Sequence, residues 1–150
     1  MATDFDRLAE ELQQQVLKDA RAVYSDKVIE EFYNPQNLGR MPTPDARGFV
    51  HGWCGDTMEI YLRLNGERIE EASFTTDGCG PTVACGSMLT SMVKGMSLQK
   101  AGEVRPKDLL DALNGLPDEN AHCAELAVNT LQNAVLRAQR GTGEEMQIDN

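Results

Sequence analysis

The chain carries four cysteines, Cys54, Cys79, Cys85 and Cys123, yet no C-x-x-C pair. That absence argues against a zinc ribbon and against a thioredoxin-type redox motif. No window approaches the roughly eighteen consecutive apolar residues of a membrane-crossing helix, so no span and no membrane partner are expected. The opening MATDFDRLAEELQQQ has neither the basic n-region nor the apolar h-region of a secretory signal. The expected compartment is therefore cytoplasmic and reducing, where cysteines serve as ligands, nucleophiles or core residues rather than as disulfide halves. Basic residues are also short: 14 Lys+Arg against 24 Asp+Glu leave a formal charge of -10. Such a field repels phosphate backbones and anionic lipid, which excludes nucleic acid as a main partner. Internal repeats and long low-complexity runs are missing as well.

What is present suits one globular domain. A chain of 150 residues with 41% apolar content can bury a core without a disulfide or metal to staple it. Thr3 with Asp6 reads as a helix cap, and Phe5, Leu8, Leu12, Val16 and Val23 recur at helical spacing. Ser25-Asp26 opens a short second helix through Val28, Ile29 and Phe32, which 34-NPQNLG-39 stops. A first strand is expected at 48-GFVHGW-53 and a second at 57-TMEIYLRL-64, where apolar and polar residues alternate. Asn65-Gly66 predicts a type I′ hairpin, and the parity slip between Ile69 and Ala72 predicts a bulge near Glu70–Glu71. Pro81 marks a helix start, with Val83, Ser87, Met88, Leu89, Met92 and Val93 as its buried stripe and Gly95 as its end. Helical pieces at 97–102 and 106–113 follow, then a turn, then a long helix over about 121–140. The expected class is α+β: a three-stranded antiparallel sheet with helices packed on one side. The expected organisation is an amphipathic helical extension at 1–23, a domain at 24–140 and a flexible polar tail at 141–150.

Three cysteines fall at element boundaries. Cys54 sits in a turn between Gly52 and Gly55, Cys79 lies between Gly78 and Gly80 before a helix, and Cys123 follows His122 in the first turn of the last helix. A helix N-terminus lowers a thiol's pKa, and flanking glycines leave room for a bulky inorganic group. Asp56 adds a hard oxygen and His122 a borderline nitrogen. Thiolate, imidazole and carboxylate together suit zinc or iron, not magnesium or calcium. Three cysteines plus one Asp or His have the count for a [2Fe–2S] cluster. Any one of these cysteines, taken alone, reads equally well as core packing, because free Cys is among the most buried residue types.

The motifs 24-YSDKVIEEFYNPQNLG-39, 54-CGDTM-58, 74-FTTDGCG-80 and 116-LPDENAHCAELA-127 occur in that order. In them the chain resembles the IscU/NifU-type iron–sulfur cluster assembly scaffolds over roughly residues 24 to 140. The resemblance implies an IscU-like fold and a non-enzymatic scaffold that assembles a cluster from iron and desulfurase-derived sulfur, then passes it to apo-proteins. It implies Cys54, Cys79 and Cys123 as ligands, joined by Asp56 and His122, with Cys123 as the persulfide acceptor and Asp56 keeping the cluster labile. The implied cluster is [2Fe–2S], with [4Fe–4S] as the alternative and zinc as a substitute occupant. A cysteine desulfurase and apo iron–sulfur proteins are the implied partners. Relatives often carry L-P-P-V-K, a segment read by an Hsp70-type chaperone; here it is 116-LPDEN-120, so dependence on that chaperone is not implied. Cys85, where relatives commonly have a small residue, reads as a buried core thiol, with a reserve ligand as the lesser alternative. The apolar stripe of residues 1–23 lies outside the resemblance and needs a cover, its own domain or a second copy in a homodimer. Two rival readings remain: a zinc-stabilised binding protein using the same residues, and a metal-free thiol redox or sulfur-relay protein.

Overall fold

The computed structural model describes residues 3–140. The polar tail expected at 141–150 lies outside the described residues. Helix α1 (Asp4–Val23) is followed by α2 (Asp26–Tyr33), strands β1 (Ala46–His51), β2 (Thr57–Asn65) and β3 (Arg68–Thr76), and helix α3 (Gly80–Val93). Two short helices, α4 (Leu98–Gly102) and α5 (Pro106–Ala112), lead to a 3-10 turn at Asp118–Asn120 and the long helix α6 (Ala121–Gln139). No helix among the described residues is long and apolar enough to cross a membrane.

The strands form an antiparallel meander in the order β1-β2-β3. Ala46, Val50, Met58, Ile60, Leu62, Ile69, Ala72 and Phe74 are buried and join residues of α3 and α6 in one core. Helices therefore cover one face, as the alternation in β2 requires. Tyr61, on the other face, is buried too, and its hydroxyl donates to Glu59. Two close approaches seat the helices. An added Cβ at Gly48 would stand 2.3 Å from the Thr130 carbonyl oxygen and 2.6 Å from the Ala134 nitrogen, so β1 touches the α6 backbone there. One at Gly86 would fall 2.4 Å from the Phe74 ring, which pins α3 to β3.

Several expectations shift. The first strand runs from 46 to 51 rather than 48 to 53, because Gly52 and Trp53 are taken up by the following turn. The hairpin loop is Gly66–Glu67, flanked by the pair Asn65↔Arg68. Only Gly66 takes a positive φ, +64°, which is the pattern of a glycine-first type II′ turn rather than type I′. The bulge is where the parity slip puts it: Arg63 pairs with Glu71 and Leu64 with Ile69, leaving Glu70 as the extra residue. Helix α3 is buried on nearly every side rather than along a stripe, because α2, β3 and α6 all pack on it. Glu31 is buried despite its charge; it accepts a hydrogen bond from Ser87 Oγ at 2.5 Å and pairs with Lys27 at 3.8 Å.

Helix α1 has the expected cap: Asp6 N–H donates to Thr3 Oγ1 and Thr3 N–H to the Asp6 carboxylate, both at 3.1 Å. None of its residues is buried, and Phe5 stands 78% exposed. Its second half lies along α2, where Val16 and Ala20 line an apolar groove with Ile29, Phe32 and Tyr33.

Candidate functional site

The sequence-predicted residues meet at one end of the molecule, where the β1–β2 turn and the first turns of α3 and α6 converge. In the β1–β2 turn, Gly52 N–H donates to the Asp56 carbonyl at 2.8 Å and Gly55 N–H to the Gly52 carbonyl at 3.0 Å. Gly55 takes φ +95°, a conformation that favours glycine. The turn thereby carries Cys54 outward, exposed, and returns Asp56 to a half-buried position. Gly52 is tight for the same reason: a Cβ there would lie 3.3 Å from Leu126 and 3.5 Å from the Cys54 sulfur.

The second cysteine is tied to the first through backbone. Thr57 N–H, next to Asp56, donates to Asp77 Oδ1 at 2.7 Å, and Thr76 Oγ1 donates to the Thr57 carbonyl at 2.5 Å. The Thr57 amide holds the Asp77 carboxyl below the usual carboxylate range. Two residues on, Cys79 is the extended N-cap of α3 and exposed, with Pro81 in the first turn behind it. An added Cβ at Gly80 would stand 2.3 Å from the Phe32 ring, so α2 braces this helix start.

Helix α6 supplies the rest. His122 and Cys123 lie in its first turn, with the Cys123 sulfur 3.8 Å from His122 Nε2. The exposed Trp53 ring leans on His122, with centroids 5.3 Å apart and planes inclined by 55°. Thr82 Oγ1 lies 3.3 Å from Asp56 Oδ2 and 3.4 Å from the Cys123 sulfur. Cys123 itself is only 2% exposed. Burial pushes its thiol pKa up, the Thr82 hydroxyl opposes this, and Cys79, Asp56 and Cys54 add negative charge close enough to push it further up. The helix N-terminus is expected to lower this thiol's pKa; burial and the neighbouring negative groups act in the opposite direction.

The five residues thus share one electrostatic neighbourhood, with Cys54 and Cys79 facing solvent and Cys123 beneath them. Among the described residues, no three His, Cys, Asp or Glu side chains are gathered tightly enough to hold a metal ion as they stand. A cleft of about 320 Å³ opens beside them, lined by Trp53, Cys54, His122, Glu125, Leu126 and others. Cys85 lies outside this group. It is fully buried in the core, and burial raises its pKa far above the usual thiol range. Sequence reasoning missed Thr82 and Asp77. Nothing in the local pattern marks them, although Asp77 stands inside the motif 74-FTTDGCG-80.

The family model described as the NifU-like N terminal domain matches residues 23–144. An iron–sulfur cluster assembly scaffold protein IscU of Archaeoglobus fulgidus is 38% identical over 123 residues, covering 81% of this chain and 80% of that protein. The Escherichia coli K12 protein of the same name is 38% identical over 117 residues, covering 75% of this chain and 91% of its own. The crystal structure of a nitrogen-fixing NifU-like protein (N-terminal) from Brucella abortus superposes with a TM-score of 0.64, covering 79% of this chain and 95% of that one. At 18% identity, that likeness concerns the fold.

Proposed function

The chain belongs to the NifU-like N-terminal domain family, and from that premise we propose that it is a scaffold for iron–sulfur cluster assembly and transfer, without substrate turnover of its own. The observation that carries this reading is the meeting of Cys54, Cys79 and Cys123 with Asp56 and His122 at one end of the fold. The cluster is the cargo. Cys54 and Cys79, already exposed, are its first contacts, and Cys123 with Asp56 or His122 completes the set as the loops draw together. Three thiolates with one oxygen or nitrogen ligand match the needs of a [2Fe–2S] unit while leaving one position weaker than thiolate.

Sulfane sulfur from a cysteine desulfurase is delivered to Cys123 as a persulfide, which an external reductant converts to sulfide. The near-complete burial of Cys123 requires the first turn of α6 to open for that step. The recipients are apo iron–sulfur proteins. Four free thiols, two of them exposed, fit a reducing cytoplasmic compartment. Residues 1–23 act as an extension whose apolar stripe, bare in the single chain, supports self-association.

The test is anaerobic incubation with Fe²⁺, cysteine and a desulfurase, read by absorption and Mössbauer spectra. Wild type should acquire a cluster, and Cys54→Ser, Cys79→Ser and Cys123→Ser should each lose it. Retention of the wild-type spectrum in any of the three would remove that residue from the ligand set.

A further inference from the structure

Thr82 is the third residue of α3, and it is fully buried. Two other buried helical threonines spend their hydroxyls on their own backbone: Thr90 Oγ1 donates to the Gly86 carbonyl and Thr130 Oγ1 to the Leu126 carbonyl, each at 2.7 Å. Thr82 does otherwise. Its oxygen stands between the Asp56 carboxylate and the Cys123 sulfur, at 3.3 and 3.4 Å. Gly78 makes room for it there, since a Cβ on Gly78 would come within 2.7 Å of the Thr82 side chain. Among the described residues, Thr82 is the one hydrogen-bond donor to the Asp56 carboxylate.

A hydroxyl has one proton and can also accept. A carboxylate only accepts, and a thiol donates weakly. While Cys123 keeps its proton, one arrangement satisfies all three groups: the S–H points to the Thr82 oxygen, and the Thr82 O–H points to Asp56. Without a metal, the O–H can turn to the sulfur only once that proton has left. A metal ion that takes the place of the thiol proton leaves the second bond intact, so the hydroxyl still holds the carboxylate beside the sulfur. With valine at this position the half-buried carboxylate would keep no donor and would turn towards water.

We propose that Thr82 is a positioning residue that holds Asp56 against Cys123, so that the oxygen and the sulfur meet incoming metal as a pair. The inference rests on the proposed function, in that it takes Asp56 and Cys123 as ligands of the cargo iron. A partner that orients a ligating carboxylate from behind typically changes metal affinity by about 10–100-fold when removed.

The experiment titrates reduced protein with Co²⁺ alone, which reports thiolate coordination through its charge-transfer band. It compares wild type, Thr82→Val, Thr82→Ala and Thr82→Ser, and repeats the Val and Ala changes in an Asp56→Ala background. Far-UV circular dichroism and thermal melting select the variants that fold; the two hydroxyl-free variants differ in size, so that one can stand in for the other. The expected result is about 10-fold weaker Co²⁺ binding without the hydroxyl, recovery in Thr82→Ser, and no further loss in the Asp56→Ala background. Wild-type affinity in a folded hydroxyl-free variant overturns the proposal. So does an equal loss with and without Asp56, because that marks a packing effect. Absence of Co²⁺ binding in wild type would instead remove the functional reading beneath the proposal, and the proposal with it.

Discussion

Cys85 separates a core thiol from a ligand, and its burial makes a pH-dependent prediction. The side chain is fully enclosed, and burial raises its pKa far above the usual thiol range, with nearby Cys123 adding to the effect. In the unfolded chain the same thiol ionises near pH 8.5. Above that pH the unfolded state has shed a proton that the folded state keeps, so stability falls as pH rises. For one such group the loss is negligible at pH 7.5 and about 1.4 kcal/mol at pH 9.5, from RT ln(1 + 10). Cys85→Ala removes this dependence at the cost of a small cavity, about 1 kcal/mol by comparison with other small core truncations. The variant should therefore be less stable than wild type at pH 7.5 by about 1 kcal/mol, or roughly 2–4 °C in melting temperature. The gap should close at pH 9.5. The assay is urea unfolding at both pH values under a strong reductant, with cluster assembly measured in parallel. An unchanged gap at the two pH values would refute the burial argument. Loss of the cluster at unchanged stability would show that Cys85 is a ligand.

Asp56→Ala should leave the fold intact and change cluster retention, with slower release to an apo-ferredoxin as the direction the family resemblance implies; equal release rates would remove its role. Gly48→Ala should cost about 1–3 kcal/mol by overpacking, since the added methyl group meets the α6 backbone at 2.3 and 2.6 Å; an unchanged melting temperature would contradict that close contact. Deleting residues 2–22 should lower the mass seen by light scattering while sparing the melting temperature, because α1 buries none of its residues; an unchanged mass would leave the extension without a role in self-association.

The elements were legible where a local rule acts alone. The cap at Thr3, the bulge beside Glu70 and the alternation of β2 each follow from a few neighbouring residues, and each stands where the pattern puts it. The hairpin differs because Asn65 pairs with Arg68: without the bulge the register would leave a three-residue loop at 66–68, and the extra Glu70 closes it to Gly66–Glu67. The neighbourhood of the three cysteines could be anticipated from glycine turns and helix starts, but the depth of each sulfur could not. Cys123 is buried where α6 packs on α3, whose Thr82 lies against its sulfur from 41 positions earlier in the sequence. Thr82 was illegible for a related reason. A threonine in the first turn of a helix is ordinary, and only the fold sets it between Asp56 and Cys123.

On the proposed function, this end of the molecule holds a cluster in order to give it away. The most direct measurement loads the protein with ⁵⁷Fe and sulfide anaerobically, isolates it, and mixes it with apo-ferredoxin in the presence of an iron chelator. Ferredoxin should gain an intact ⁵⁷Fe cluster faster than the chelator gains iron, as the scaffold's own spectrum declines. A scaffold that keeps its metal throughout, or that loses iron only to the chelator, would contradict it.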